Sequence, residues 1–299
     1  MNANKFFRNC AGHFRAVWRI AFYLVLTIGI YSLVNLFTAS LLFQVEELSD
    51  YTLLVNRFIE RIILFICVLI PGLILLKWFD KRPLRLLGLG LDKKAVTDLL
   101  FGMIISIVIM VISALVLSLF GLARFTYNGL SEVTLLYLLF SLIVMFIMAA
   151  YEEVLFRGYA FQALIEGSNI WIALVIYSLL FGAAHLSNEG VTVFDILVTI
   201  VGGAFLGIIY YKTRSLWMCI GAHFIWNWMY GVFFGFYLPA YLKRSVFTYH
   251  SLNSGMKLNS DEIHSIILNV LCIIAMVIIW KSSWIRPTQK NRKLWSKYS

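Results

Sequence analysis

Charged residues are scarce in this chain. Asp, Glu, Lys and Arg together make up 13% of its 299 residues, whereas hydrophobic residues make up 61%. Soluble domains typically contain about 25% charged and about 45–50% apolar residues. A soluble fold could not cover so much apolar surface with so few charges. The composition therefore excludes an ordinary soluble domain and indicates a protein whose solvent is lipid.

Cysteine is also rare. The chain has four cysteines, three of which lie inside apolar runs, and their spacing forms no paired pattern: Cys10, Cys67, Cys219 and Cys272. Isolated cysteines in apolar segments behave as small hydrophobic residues. The sequence thus offers neither a disulfide framework nor a metal site built from thiolates.

Long apolar runs dominate the rest of the sequence. A membrane-spanning helix needs about 20 mostly apolar residues. Eight segments fit this requirement and are predicted to span: 18–43, 58–79, 98–120, 132–155, 170–187, 191–211, 215–237 and 263–281. The first is far longer than the core of a signal peptide and is interpreted as a retained helix. No repeat or linker divides the chain, so the prediction is an all-α, polytopic membrane bundle of about eight transmembrane helices in one domain, residues 1–299.

Basic residues outnumber acidic ones, giving a net charge of +10, and they cluster between the apolar runs. The clusters occupy the N-terminal tail, residues 77–94, the turn after span 6 and the C-terminal tail, with Lys243, Arg244 and Lys257 as exceptions. This pattern predicts both termini in the cytoplasm of a multi-pass cell-membrane protein, and the short loops favour a bacterial plasma membrane. The expected partner of the basic residues is the lipid bilayer, not nucleic acid.

Three charges interrupt the fourth apolar run. Glu152, Glu153 and Arg157 follow the apolar stretch that ends at Ala150. Charges inside a span are costly, about 2.5–3.5 kcal/mol each on insertion scales, so they often mark function. Glu153 and Arg157 are four residues apart in the favourable order for an ion pair, which leaves Glu152 free to accept a proton. The alternative is that the helix ends near Ala150 and that these charges lie in water.

A histidine, His185, lies near the end of the fifth run, on the same helix face as Phe181. A lone histidine there can simply be an interfacial residue. However, Glu152 precedes Ser168 in the intervening turn by 16 residues and His185 follows it by 17. In an antiparallel hairpin both would lie roughly 25 Å from the turn at 1.5 Å per residue. The spacing therefore predicts that Glu152 and His185 face each other.

The seventh run contributes His223 and Asn227, four residues apart on one face. They could be hydrogen-bonding contacts between helices, worth about 0.6 kcal/mol on average. Small-residue pairs in the sixth and seventh runs, Gly203 with Gly207 and Gly231 with Gly235, are interpreted as helix-packing positions.

Together these polar residues predict a catalytic centre. Glu152 could act as general base on a water molecule, with His185 sharing the proton. His223 and Asn227 could donate hydrogen bonds to a developing oxyanion, and Arg157 would hold Glu153. A set of Glu152, His185 and His223 also provides the ligand types of a catalytic zinc ion. The sequence leaves both alternatives open: no cofactor is strictly required, and zinc is the candidate metal.

These residues form motifs that resemble those of a known family. EEVLFR (residues 152–157), FGAAH (181–185) and HFIWN (223–227) resemble the EExxxR, FxxxH and HxxxN motifs of the CAAX prenyl protease and bacteriocin-processing family, also called the abortive-infection family. The segment RLLGL at Arg85 resembles a feature upstream of the first motif. The resemblance covers about residues 80–240, with a catalytic core at about 130–235.

The resemblance implies an intramembrane endopeptidase of glutamate or metallo type, in which the catalytic residues would be Glu152, His185, His223 and Asn227 and the supporting pair Glu153 and Arg157. Its substrate would be a membrane-associated peptide or protein that can carry a lipid. Two other functions remain open from the residues alone: a non-catalytic partner in bacteriocin self-immunity or regulation, and a transporter or ion pathway. No inverted repeat supports the transporter.

Overall fold

The computed structural model of this chain describes residues 14–42, 50–188, 190–237, 244–252 and 258–283, together with Phe7, Ile285 and Pro287. Several residues used in the sequence analysis lie outside this part: Cys10, Lys243, Lys257 and the C-terminal basic tail from 288 onward. The three other cysteines are buried and unpaired thiols.

The described chain is a bundle of α-helices, which confirms the predicted all-α polytopic class. The helices are α1 (Ala16–Leu42), α2 (Asp50–Ile74), α3 (Lys93–Leu119), α4 (Glu132–Arg157), α5 (Tyr159–Gly167), α6 (Ile170–Ala183), α7 (Val193–Thr213), α8 (Leu216–Asn227) and α9 (Ser260–Lys281). Two π-helical stretches, Leu75–Phe79 and Trp228–Phe233, continue α2 and α8, and Leu84–Leu87 is a 3₁₀ turn.

Six described segments are long and apolar enough to cross a membrane: Ala16–Leu36, Leu54–Phe79, Lys93–Leu119, Thr134–Gly167, Val193–Thr213 and Ser260–Lys281. The other two predicted spans, 170–187 and 215–237, correspond to α6 and to α8 with its π-helical continuation, which ends at Phe233. The apolar run continues four residues past the end of each, so hydropathy alone overestimated both lengths slightly.

Capping residues set where several helices begin. Asp92 and Ser131 accept hydrogen bonds from backbone N–H groups in the first turns of α3 and α4, and Asn169 does so for α6. Thr192 and Asn259 form full capping boxes at α7 and α9. Such side chains satisfy the backbone donors that a helix start leaves unpaired.

Glycines allow α3 and α8 to pack backbone against backbone. A Cβ atom on Gly102 would overlap the carbonyl oxygen of Met218, and one on Gly221 would overlap that of Leu99. Small residues permit this close approach in lipid, where tight packing holds helices together. The contact fixes the position of α8, the helix that carries His223 and Asn227.

The predicted packing role is present for one glycine pair and wrong for the other. Gly203 and Gly207 on α7 lie against α6, where an added Cβ would crowd Ser178 and Leu174. Gly231 lies in the π-helical stretch, and Gly235 lies beyond it with φ at +69°. At Gly235 an added Cβ would meet the carbonyl oxygen of Phe247, so this glycine serves a turn.

Two short strands form a feature that the sequence analysis did not predict. Strand β1 (Ala123–Tyr127) pairs antiparallel with β2 (Phe247–Ser251), with Phe125 opposite Tyr249. They join the loop after α3 to the loop before α9. Phe236, which follows α8, packs its ring against both of these aromatic rings, so the sheet covers one end of the bundle.

An ionic cluster ties the opposite end together. Arg19 on α1 contacts Asp80 and Glu166, each at 2.6 Å, and Glu166 also accepts from Arg82 at 2.6 Å. The Arg19 Nε donates to the Tyr159 hydroxyl at 3.2 Å. Burial raises the pKa of the Asp80 carboxyl, and Arg19 and Arg82 oppose that shift. These contacts connect α1, the end of α2 and α5.

Candidate active site

The acidic pair on α4 lies inside the protein. Helix α4 continues to Arg157, and Glu152, Glu153 and Arg157 are 9%, 0% and 1% exposed. The alternative that the helix ends near Ala150 and leaves these charges in water is therefore wrong. Gly158 ends α4 and Tyr159 begins α5, so the chain bends directly after Arg157.

Arg157 anchors Glu153. Its Nη1 donates to Glu153 Oε1 at 2.9 Å, which is the ion pair expected from the four-residue spacing. Its Nη2 donates to the carbonyl oxygen of Gly203 on α7 at 3.0 Å. The guanidinium also lies 4.4 Å from the centre of the Phe181 ring. A buried charge requires such partners, and Arg157 finds them on two neighbouring helices.

His223 lies between the two carboxylates. Its Nδ1 is 2.7 Å from Glu153 Oε1, and its Nε2 is 3.7 Å from Glu152 Oε2. Because the ion-paired Glu153 carboxylate only accepts hydrogen bonds, Nδ1 is assigned as the donor. Glu152 Oε2 is buried and has no hydrogen-bond partner within the described chain. The arrangement presents Nε2 and a partner-free carboxylate oxygen to each other.

Phe181 connects the two histidines. Its carbonyl oxygen lies 2.7 Å from His185 Nδ1, which must donate because a carbonyl only accepts. The Phe181 ring centre lies 4.8 Å from that of His185 and 5.7 Å from that of His223. The ring therefore contacts both imidazoles and packs against the Arg157 guanidinium. The four-residue spacing that placed Phe181 and His185 on one face was the available sequence signal for this role.

The predicted meeting of Glu152 and His185 does not occur. Within the described chain no hydrogen bond or ion pair joins them, and Glu152 faces His223 instead. Glu152 and His185 could face each other only if α4 and α6 were packed neighbours. In the structure α6 packs chiefly against α7, while α4 packs against α2 and α8. In addition α6 ends at Ala183, so His185 lies in the following turn.

A cavity of about 370 Å³ brings the other predicted residues together. His185, His223 and Asn227 all line it. Glu152 and Glu153 are not among its lining residues. Both acids contact His223, which does line the cavity. The remaining lining residues come from α3, α6, the turn before α7, α7, α8, the segment after α8 and the start of α9. Several of these elements lie at the end of the bundle that carries β1 and β2.

Of the 22 residues that line the cavity, twelve are glycine, apolar or aromatic and ten are polar, among them Asp195, Asp261 and His264. The aromatic lining residues are Phe181, Phe205, Trp226, Tyr230, Phe236 and Tyr237. Ser106 on α3 also lines the cavity and was not predicted, because single serines are common in apolar helices and carry no signal. Gly203 was predicted only as a packing residue, whereas its carbonyl oxygen holds Arg157.

The residues do not form a metal site in this arrangement. Across the part of the chain that is described, no three His, Cys, Asp or Glu side chains are grouped so that they could hold a metal ion. A catalytic zinc ion ordinarily takes three protein ligands. Glu152 and His223 are close, but within the described chain no hydrogen bond or ion pair joins His185 to either of them, and its Nδ1 is held by the Phe181 carbonyl. The predicted zinc set of Glu152, His185 and His223 therefore does not fit, and no step is assigned to a metal.

Comparison with known proteins gives a family for the central part of the chain. Residues 133–229 match the family model described as type II CAAX prenyl endopeptidase Rce1-like. The matched stretch contains all six predicted site residues, which confirms the family resemblance of the three motifs. It covers less than half of the chain and does not include the segment at Arg85. A comparison with curated proteins gives no match.

Proposed function

With the Rce1-like domain at residues 133–229 as the premise, we propose that this membrane protein is an endopeptidase that cleaves a peptide bond at membrane depth. One observation carries the proposal: His185, His223 and Asn227 line one cavity, and Glu152 contacts His223 with a buried, partner-free oxygen. Carboxylate, imidazole and amide groups at one site can activate water and stabilise an oxyanion.

In the first step Glu152 acts as general base. It takes a proton from a water molecule while the water oxygen forms a bond to the scissile carbonyl carbon. His185 orients this water: its Nδ1 donates to the Phe181 carbonyl, so the unprotonated Nε2 can accept a hydrogen bond from the second O–H of the water. The product of this step is a tetrahedral intermediate whose former carbonyl oxygen carries the negative charge.

His223 and Asn227 stabilise that oxyanion. In this role His223 is doubly protonated: Nδ1–H donates to Glu153 and Nε2–H donates to the oxyanion. The side-chain amide of Asn227 supplies a second donor. Glu153, held by Arg157, fixes the ring orientation. Collapse of the intermediate breaks the C–N bond, and Glu152 transfers its proton to the leaving amine, so atoms and charges balance.

The cavity wall supports a membrane-associated peptide as the substrate. Its apolar and aromatic residues suit a peptide segment or attached lipid that would otherwise reside in the bilayer. The match to the CAAX prenyl endopeptidase family adds CAAX prenyl peptides to the candidates. We also propose that the protein resides in a cell membrane with both termini in the cytoplasm.

The proposal is tested with purified protein in liposomes and an internally quenched peptide ending in a CAAX sequence, prepared with and without a farnesyl group. We expect Glu152→Gln, His185→Ala and His223→Ala to lower cleavage about 100-fold or more, the usual scale of acid–base and oxyanion contributions. His250→Ala on strand β2 is the matched control, because this exposed histidine does not line the cavity.

Two outcomes would count against the proposal. Glu152→Gln protein that cleaves at the wild-type rate would remove Glu152 from the mechanism. Wild-type protein that cleaves neither peptide would favour a non-catalytic membrane partner, in which the same residues serve binding or structure.

A further inference from the structure

A serine outside the family match shares the cavity with the proposed catalytic groups. Ser106 lies on α3, before residues 133–229 begin. Its exposed fraction is 0%, and it is one of the residues that line the same cavity as His223 and Asn227. The close packing of Gly102 against α8, one helical turn earlier, holds this part of α3 beside the helix that carries both residues.

The hydroxyl of Ser106 has no partner. Its Oγ is buried and makes no hydrogen bond to any group in the described part of the chain. Buried polar groups are nearly always hydrogen-bonded, because removal from water without compensation is unfavourable. An orphaned hydroxyl in a cavity wall therefore calls for an explanation that the fold itself does not supply.

Two other fully buried serines behave differently. Ser113 and Ser141 donate to the carbonyl oxygens of Met110 and Leu138, three residues earlier, at 2.9 and 2.7 Å. This is how a serine inside a helix ordinarily satisfies its hydroxyl. Ser106 does not use this route, although it lies in the same helix as Ser113. Its hydroxyl is consequently available to a group that enters the cavity.

We propose that Ser106 is a substrate-binding residue whose hydroxyl donates a hydrogen bond to a main-chain carbonyl oxygen of the peptide in the cavity. This inference rests on the proposed endopeptidase function. A peptide backbone that enters the cavity loses its hydrogen bonds to water and needs donors there. Ser106 supplies one from α3 and so contributes to substrate position without taking part in proton transfer.

The first test compares Ser106→Ala and Ser106→Thr with wild type, using the quenched CAAX peptides in liposomes. Loss of one hydrogen bond to substrate should raise KM about three- to tenfold in Ser106→Ala, with kcat within about twofold. Ser106→Thr keeps the hydroxyl and should keep a KM near that of wild type. Ser178→Ala is the matched control, because Ser178 Oγ is also buried and without a partner, but Ser178 does not line the cavity.

Thermal unfolding separates binding from structure. A hydroxyl without a protein partner contributes no stabilising bond, so the Tm of Ser106→Ala should not fall below that of wild type. An unchanged KM in Ser106→Ala overturns the proposal, whatever the Tm. The proposal would also be overturned if Ser106→Ala lowered the Tm and Ser178→Ala raised KM as much as Ser106→Ala does. The effect on KM would then be general to buried serines.

A binding measurement keeps this test independent of catalysis. The farnesylated peptide, labelled with a fluorophore, is titrated against Glu152→Gln protein with and without Ser106→Ala, and anisotropy gives Kd. Weaker binding by about three- to tenfold supports Ser106 even if wild-type protein shows no cleavage. Equal binding by both proteins overturns the role of Ser106 while leaving the endopeptidase proposal intact, and absence of binding to either overturns the assignment.

Discussion

The Nδ1 atom of His223 lies 2.7 Å from Oε1 of Glu153, and that same oxygen accepts from Arg157 at 2.9 Å. One carboxylate oxygen thus fixes an imidazole from α8 and a guanidinium from its own helix. Glu152, the adjacent residue, points its Oε2 toward the other ring nitrogen. The two acids are therefore expected to differ in kind, one supporting structure and the other chemistry.

Stability measurements should separate the two acids. Glu153→Gln should destabilise the protein by about 3–5 kcal/mol, because Arg157 then remains as a buried charge without its partner. Glu152→Gln should destabilise the protein much less, because Glu152 Oε2 accepts no hydrogen bond within the described chain and lies 3.7 Å from His223 Nε2. Both substitutions should abolish cleavage. Thermal unfolding in detergent, followed alongside peptide cleavage, measures the two effects.

A double substitution serves as the control for the Glu153 result. Glu153→Gln with Arg157→Met removes both buried charges, so much of the lost stability should return while activity does not. If the double variant is no more stable than Glu153→Gln alone, the loss came from something other than the unpaired guanidinium.

Packing between α3 and α8 should control the position of His223. Gly221 lies two residues before His223, and Gly221→Ala would place a methyl group against the carbonyl oxygen of Leu99. We expect a loss of about 1–3 kcal/mol in stability, typical of overpacking, together with a fall in kcat. Gly29→Ala on α1 is the matched control, because a Cβ there would meet no described atom within 4 Å. Equal behaviour of the two variants would contradict the packing argument.

The ionic cluster far from the cavity should affect stability more than catalysis. Arg19→Met removes the partner that Asp80 and Glu166 share, and breaking a buried pair typically costs about 3–5 kcal/mol. KM and kcat measured well below the unfolding temperature should stay near wild-type values. A large change in kcat at such a temperature would contradict this expectation. It would mean that the ionic cluster influences the geometry of the active site through α5.

The membrane orientation of the cavity can be tested by cysteine labelling. Arg82, Arg85, Lys212 and Arg214 lie at the end of the bundle opposite His185, so the positive-inside rule predicts that the cavity end faces away from the cytoplasm. In a Cys10→Ser background, an impermeant maleimide applied to intact cells should label Asn188→Cys, which is exposed on the turn at the cavity end.

Ser168→Cys, exposed in the turn between α5 and α6 at the basic end, provides the control for orientation and should react only after the cells are opened. The three native cysteines in the described residues are buried and should give little background. The reverse labelling pattern would invert the predicted topology without altering the proposed chemistry.

The sequence by itself determined the membrane class, most of the spans and the identity of the polar residues, because hydropathy and same-helix spacing are local properties. The Glu153–Arg157 ion pair belongs to this group, since its two members lie on one helix. The ends of α6 and of the π-helical continuation of α8 were each predicted four residues too late, because apolar turns have the same hydropathy as apolar helix.

Only the tertiary structure decided which groups meet across helices. Glu152 lies against His223 instead of His185, because α4 packs against α2 and α8 and leaves α6 to pack against α7. Ser106 lines the cavity because α3 and α8 pack closely at their glycines, and this contact depends on the arrangement of whole helices. Pairings of this kind depend on interhelical packing between segments distant in sequence, which one sequence's periodicity does not encode.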